Sequence, residues 1–267
     1  FPDRRGFAIA LHGTGGSVGE VLGPLLVGGL LLFMTWRVAF VALGAPGIIV
    51  GIGIWMLLRN MMYVDNTDNP ISSYLLSLRA VIFDPKLVTI LLVVIGFSAS
   101  EAAIFTFLPI YLQVELGYSA SVMTLFIAAS QVAGIFSQPL LGLISDRHGR
   151  RTALLPSMLI LSCTILGIAF VPQGVPLLLL VIVMGAFNYP MTSILLAAAG
   201  DVAGSKVQAT VVSLVFGLSL TMGGISPYLT GILADAFGIK AVFIACAGMV
   251  MSTCPFLFVI RNRVAVR

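Results

Sequence analysis

The chain has 267 residues, 59% of them hydrophobic and 9% charged, with a net charge of +4 and a mean hydropathy of +1.12. A soluble domain is about a quarter charged, so this composition excludes a water-solvated globule and points to a chain solvated mainly by lipid. In a soluble protein the positive balance would suggest a nucleic-acid partner; here the cations sit in short breaks between apolar runs, where membrane orientation accounts for them and no nucleic acid is expected.

A spanning helix needs about 20 mostly apolar residues. Eight stretches qualify, at 8–33, 38–58, 88–113, 120–142, 152–171, 175–200, 208–233 and 240–260, which makes the expected fold an all-α bundle of eight membrane helices. An even count puts both chain ends on one side. One set of connections holds 12 of the 14 basic residues and the other only Arg37 and Lys240. By the positive-inside rule, residues 1–7, 59–87, 143–151, 201–207 and 261–267 face the cytoplasm, the C-terminus among them. Phe1 opens the sequence without a methionine, and the chain reads as a fragment whose front is missing. Cys163, Cys246 and Cys254 all lie in apolar stretches, so no disulfide framework is expected.

The first stretch carries Gly15, Gly19 and Gly23 at intervals of four, followed by Pro24 and Gly28. Glycines so spaced let helices approach closely, and a proline stiffens or kinks the helix. Ordinary tight packing and a sliding seal between bundles are both open readings. Gly15-Gly16-Ser17-Val18-Gly19 also satisfies the spacing of a serine nucleophile elbow. That motif needs a strand before it and a helix after; this one opens a glycine-rich membrane helix, and no enzyme activity is expected. Neither a nucleotide-binding motif nor a paired-cysteine or other metal motif occurs, so no cofactor and no metal are expected.

The break at 59–87 is the longest polar segment, and its 71–81 portion has the pattern of a short amphipathic surface helix. Beyond it, Glu101 lies deep in the third apolar stretch, as Glu20 does in the first. A carboxylate at mid-membrane costs a few kcal/mol on insertion scales and usually faces a cavity or a partner. An apolar setting favours the neutral form, so either residue can serve as a proton or substrate-cation site. A structural carboxyl bonded to neighbouring hydroxyls is the plainer reading. Asn188 and Tyr189, just before Pro190, are further site candidates, since that proline would free carbonyls as broken helices do near transport sites. Gln131, Ser137, Gln138 and Thr221 are weaker signals, for which interhelical hydrogen bonding is the commoner fate.

The run Gly142 to Arg151 reads G-L-I-S-D-R-H-G-R-R between two apolar stretches, so it is expected as a water-exposed turn. Asp146 accepts only, and suits the N–H groups at a helix N-terminus, the start of the helix at 8–12 by pseudo-symmetry. A gating latch rests chiefly on Asp146 and Arg147, with Gly142, Gly149, Arg150 and Arg151 behind them. A plain positive-inside anchor is the competing reading.

An offset of 203 places Pro24 on Pro227, Gly28 on Gly231, Arg37 on Lys240, Ala39 on Val242 and Phe40 on Phe243. Five matches at one offset favour an internal duplication. Residues 1–58 then form the last two helices of a first bundle, 59–87 a cytoplasmic linker, and 88–267 a complete six-helix bundle.

Gly142, Asp146, Arg147, Gly149, Arg150 and Arg151 resemble the G-x-x-x-D-R-x-G-R-R loop of the major facilitator superfamily. Gly19, Gly23, Pro24 and Gly28 resemble that family's antiporter motif in its fifth helix, with Val27 replacing the first glycine of the final pair. The resemblance implies helices 5–12 of twelve and Glu101 and Asn188 on cavity-lining helices. It also implies a monomeric secondary transporter in a bacterial cytoplasmic (inner) membrane, moving a small molecule and H+ through a lipid bilayer by alternating access. Proton-coupled drug or metabolite export is the first expectation. Proton-coupled uptake, or a non-transporting sensor or scaffold, is the alternative.

Overall fold

The computed structural model describes residues 7, 11, 13–16, 18, 19, 22, 26, 30, 33–59 and 70–259. The described residues between 7 and 30 are helical. The labelled helices are α1 (Trp36–Leu58), α2 (Pro70–Ile82) and α3 (Pro85–Ile110), the last extended by a π-helical turn over Tyr111–Glu115. After them come α4 (Ala120–His148), α5 (Arg150–Ile168), α6 (Val175–Phe237) and α7 (Ile239–Thr253), with a 3-10 turn over Cys254–Val259. Two compact units form: Phe1–Ser17 with Tyr74–Arg267, and Val18–Ser73.

Local chemistry sets the boundaries. Asp84 accepts from the Lys86 N–H at 2.9 Å, and Pro85 opens α3 where a missing N–H costs nothing. Ser119 accepts from the Val122 N–H at 3.4 Å to start α4. The expected amphipathic segment at 71–81 is helical as α2, and α3 begins at Pro85, inside the stretch read as linker.

Two expected loops are helical instead. The turn at 143–151 shrinks to Gly149, which ends α4 and precedes α5 at φ +94° and ψ 151°. That region of backbone space is essentially confined to glycine. The break at 201–207 stays helical within the 63-residue α6. A helical turn keeps its backbone groups paired at the hydrocarbon edge, where a loop would leave them short of partners. Helical structure continues past Pro190, which lies inside α6.

α6 nevertheless comprises two arms. Asn188 reaches Glu101 and Ser219 reaches Ser98, so two residues 31 apart on α6 meet residues three apart on α3. A straight helix would separate Asn188 from Ser219 by about 46 Å and Ser98 from Glu101 by about 4.5 Å. α6 therefore doubles back between them. Counting its arms, Val175–Ala203 and Val207–Phe237, seven helices among the described residues are long and apolar enough to cross a membrane, not the eight expected. The remaining expectation, 8–33, falls mostly outside the described residues.

α3 is the buried centre of the larger unit. Phe97, Ile104, Tyr111 and Leu112 pack with Met158, Leu161 and Ile165 of α5 and Phe243 of α7 in one apolar core. Hydroxyls tie the helices where hydrocarbon offers no partner: Ser98 to Ser219 at 2.9 Å, Ser100 to the Cys246 carbonyl at 3.2 Å, Ser162 to the Ala247 carbonyl at 2.9 Å, and Ser226 to the Ala99 carbonyl. Such bonds contribute about 0.6 kcal/mol each in a membrane bundle. Phe136 and Leu220 face outward, as lipid solvation permits.

Candidate functional site

Glu101 lies sixteen residues from Pro85 and fourteen from Glu115, so it sits at the middle of its span. Asn188 lies thirteen residues from Val175 and fifteen from Ala203 on the first arm of α6. The two meet: Asn188 Nδ2 donates to Glu101 Oε1 at 3.1 Å. Asn188 is 2% exposed, and among the described residues its Oδ1 is buried without a hydrogen-bond partner. Phe105, one turn beyond Glu101, and Tyr189, next to Asn188, bring their rings to 5.7 Å between centroids at 40°. Three of the four expected site residues thus fall in one place at mid-depth, and Glu20 lies outside the described residues.

A ridge leads from this place toward the end that carries Gly149. Ser130, Gly134, Gln138, Gly142 and Asp146 recur every four residues along α4, and Gly185, Tyr189 and Ser193 do so along α6. Residues four apart form one ridge of a helix surface. The Ser130 carbonyl lies where a Cβ on Gly185 would be, and the Tyr189 ring lies where a Cβ on Gly134 would be. The matched order, Ser130 with Gly185 and Gly134 with Tyr189, makes α4 and this arm of α6 parallel. Further along, a Cβ built on Gly13 would lie 2.9 Å from both Gln138 Oε1 and Ser193 Oγ.

The ridge ends in a charge cluster. Asp146 Oδ2 accepts from the Phe7 N–H at 2.7 Å, and Asp146 Oδ1 pairs with Arg150 Nη1. Arg150 also donates from Nε to Asp201 Oδ2 at 2.7 Å and from Nη1 to Ser145 Oγ at 3.1 Å. One guanidinium therefore joins the α4 end to the turn of α6, as its rigid fork allows. Phe7 and Gly13 meet Asp146 and Gln138 in reverse order, so the 7–13 segment runs antiparallel to α4. Of the other motif residues, Gly142 is buried and Arg147 exposed, while Arg151 stacks 4.0 Å above the Phe258 ring.

The glycine stripe is placed differently. Gly15 and Gly19 are exposed, and a Cβ on either would meet nothing within 4 Å. Gly23, Pro24 and Gly28 lie outside the described residues. Ser137 and Thr221 bond to carbonyls of their own helices. Gly13, Ser193 and Asp201 were not among the sequence candidates; the four-residue recurrence on α4 and α6 was the signal that could have found the first two.

The family model of the Major Facilitator Superfamily matches residues 1–219 and 90–267. The chain belongs to the Major Facilitator Superfamily. The superfamily fold is shared with the Escherichia coli fucose:proton symporter, whose crystal structure is similar with a TM-score of 0.77 at 17% identity, over 98% of this chain and 70% of that one. Two curated relatives in the superfamily are the proline/betaine transporter of Escherichia coli K12 and a multi-drug resistance efflux pump homologue of Lactococcus lactis. The first is 26% identical over 57% of this chain and 31% of its own length, the second 30% over 55% and 37%. The chain spans about a third of the length of these relatives.

Proposed function

We propose that the protein is a secondary active transporter that carries a small molecule through the membrane by alternating access, with the Glu101–Asn188 pair at its transport centre. The observation that carries this reading is the meeting of a carboxylate and a buried amide, from two different helices, each at the middle of its span. Ionisable groups at that depth mark substrate and proton paths, and sites at the midplane between rocking bundles are the pattern of secondary transporters. Proton-coupled uptake is the direction we favour, supported by relatives named for proline, betaine and ectoine and by the fold shared with a proton symporter. Export, the first expectation from sequence, keeps support from the relatives named as efflux pumps.

In this reading residues 1–58 close a first bundle, 59–87 link it to a second at 88–267, and the C-terminus is cytoplasmic. The Phe7–Asp146 bond and the seat of Gly13 on Gln138 and Ser193 hold the cytoplasmic end shut. Arg150 fixes the carboxylate of Asp146 for that bond.

The test is flux in proteoliposomes holding the full-length protein under a pH gradient, with proline, glycine betaine and ethidium as probes. The wild type moves at least one probe in response to the gradient. Glu101→Gln slows that movement about a hundredfold or more, as loss of a positioned proton acceptor does. Equal rates remove Glu101 from the coupling path. Movement of none of the probes favours a non-transporting sensor.

A further inference from the structure

We propose that α2 lies in the headgroup layer of the bilayer, with its outward face in the acyl chains and Arg79 paired to a phospholipid phosphate. α2 has 13 residues, too few to span. Only Phe83 and Asp84 join it to the span that opens at Pro85, which places its C-terminal end at the membrane boundary. One side packs on protein: Val81 is fully buried in the bundle core, and Ser77 and Leu78 are half-buried. The other side carries Leu75, Leu76, Ile82 and Phe83, each between 56% and 75% exposed. Phe83 continues the helical pattern, its N–H donating to the Arg79 carbonyl at 3.0 Å. At 3.6 residues per turn these four fall, with Arg79 and Ala80, in one arc of about 160°.

Water is a poor match for that arc. A helix at a water surface turns charged and polar residues outward, whereas this one turns out four large apolar side chains around a guanidinium. Pure hydrocarbon fails too, because an arginine stays charged and an unpaired charge there is costly. Among the described residues Arg79 makes no ion pair; its guanidinium lies 5.7 Å from the centre of the Phe83 ring. The nearest acid in sequence, Asp84, turns its carboxylate to the Lys86 N–H as the cap of α3. The boundary between phosphates and acyl chains supplies hydrocarbon and anions together, and it lies where α2 meets its span. There Leu75, Leu76, Ile82 and Phe83 enter the chains, and the Arg79 stem rises along them to a phosphate. Lys86, exposed at the start of α3, adds a second cation at that boundary.

Nitroxide labels placed singly from Leu75 to Phe83 test the placement by electron paramagnetic resonance. The sample is full-length protein, freed of native cysteines, in vesicles of phosphatidylethanolamine and phosphatidylglycerol. Relaxation by oxygen, which concentrates in acyl chains, is compared with relaxation by a water-soluble nickel chelate. Labels at Leu75, Leu76, Ile82 and Phe83 are expected to favour oxygen, at a depth of about 5–10 Å, while labels at Ser77 and Leu78 reach both reagents less. Nickel access at the four outward positions would put the face in water. Access to neither reagent would put it against another part of the chain or a second copy. Either result overturns the proposal. The phosphate is read at the Leu76 label in two variants, each checked for monodispersity. Arg79→Glu is expected to shift α2 toward water about fivefold, the weight of one cation at a lipid surface, and Arg79→Lys to hold it in place. Equal depth in the wild type and the Arg79→Glu variant overturns the pairing, and the scan of the wild-type arginine stands whether or not the variants fold.

Discussion

The two polar clusters on the α4–α6 side of the bundle are finished to different degrees. At the end, both oxygens of Asp146 are engaged, one by the Phe7 N–H and one by Arg150, whose guanidinium also holds Asp201 and Ser145. At mid-depth, Asn188 meets Glu101 with its Nδ2, while its buried Oδ1 has no hydrogen-bond partner among the described residues. Satisfied charge networks fix one arrangement, and a buried polar atom left unpaired is costly. In the proposed reading the end cluster holds a conformation and the middle cluster receives cargo, and the ridge from Ser130 to Asp146 joins them on one helix face.

Perturbing the end should therefore move the balance of conformations, and the deepest wedge should move it furthest. Gly13→Leu forces a branched side chain into the space of Gln138 Oε1 and Ser193 Oγ. Overpacking costs about 1–3 kcal/mol, enough to shift the two facings by about five- to over a hundredfold toward the cytoplasm-open form. Alkylation of a cysteine placed at Ser193, compared with and without the leucine, reads that shift. Asp146→Asn keeps the shape but weakens two charge-assisted bonds, for about 1–2 kcal/mol. It should change the rate of exchange between facings more than the affinity for cargo, and a loss confined to binding would blur the contrast between end and middle. Arg151→Ala removes only a stacked cation over Phe258 at the bundle's edge. A cost of about 0.5–1 kcal/mol in thermal stability, with unchanged flux kinetics, would sharpen the distinction between Arg151 and its neighbour Arg150.

Much of this architecture is legible in the chain because hydrocarbon imposes it. Long apolar runs become spans, and the candidates Glu101, Asn188 and Tyr189 stand out because few polar residues occur so deep. The partners of the end cluster are another matter. Arg147 and Arg150 look alike in sequence, yet α4 stays helical to His148, which places Arg150 four positions past Asp146 across the Gly149 junction. Arg147 is left exposed. The loops at 143–151 and 201–207 misled for one reason: charge and small residues signal water, but a water-exposed turn can remain helical. Glycine spacing is less direct. A Cβ on Gly15 or Gly19, in the conspicuous stripe, meets nothing within 4 Å among the described residues, whereas Gly13, outside the stripe, lies close to Gln138 and Ser193. Spacing tells which residues share a face; only the neighbouring helix decides which face is used.

The central claim, a mid-depth site opened to each side in turn, is tested most directly at Asn188. In full-length protein with Cys163, Cys246 and Cys254 replaced by serine or alanine, Asn188→Cys would be labelled with an impermeant thiol reagent from either side of oriented vesicles. The account predicts labelling from both sides, with Gly13→Leu raising the cytoplasmic rate and lowering the other. Labelling from neither side, or from one side only under every condition, would contradict it.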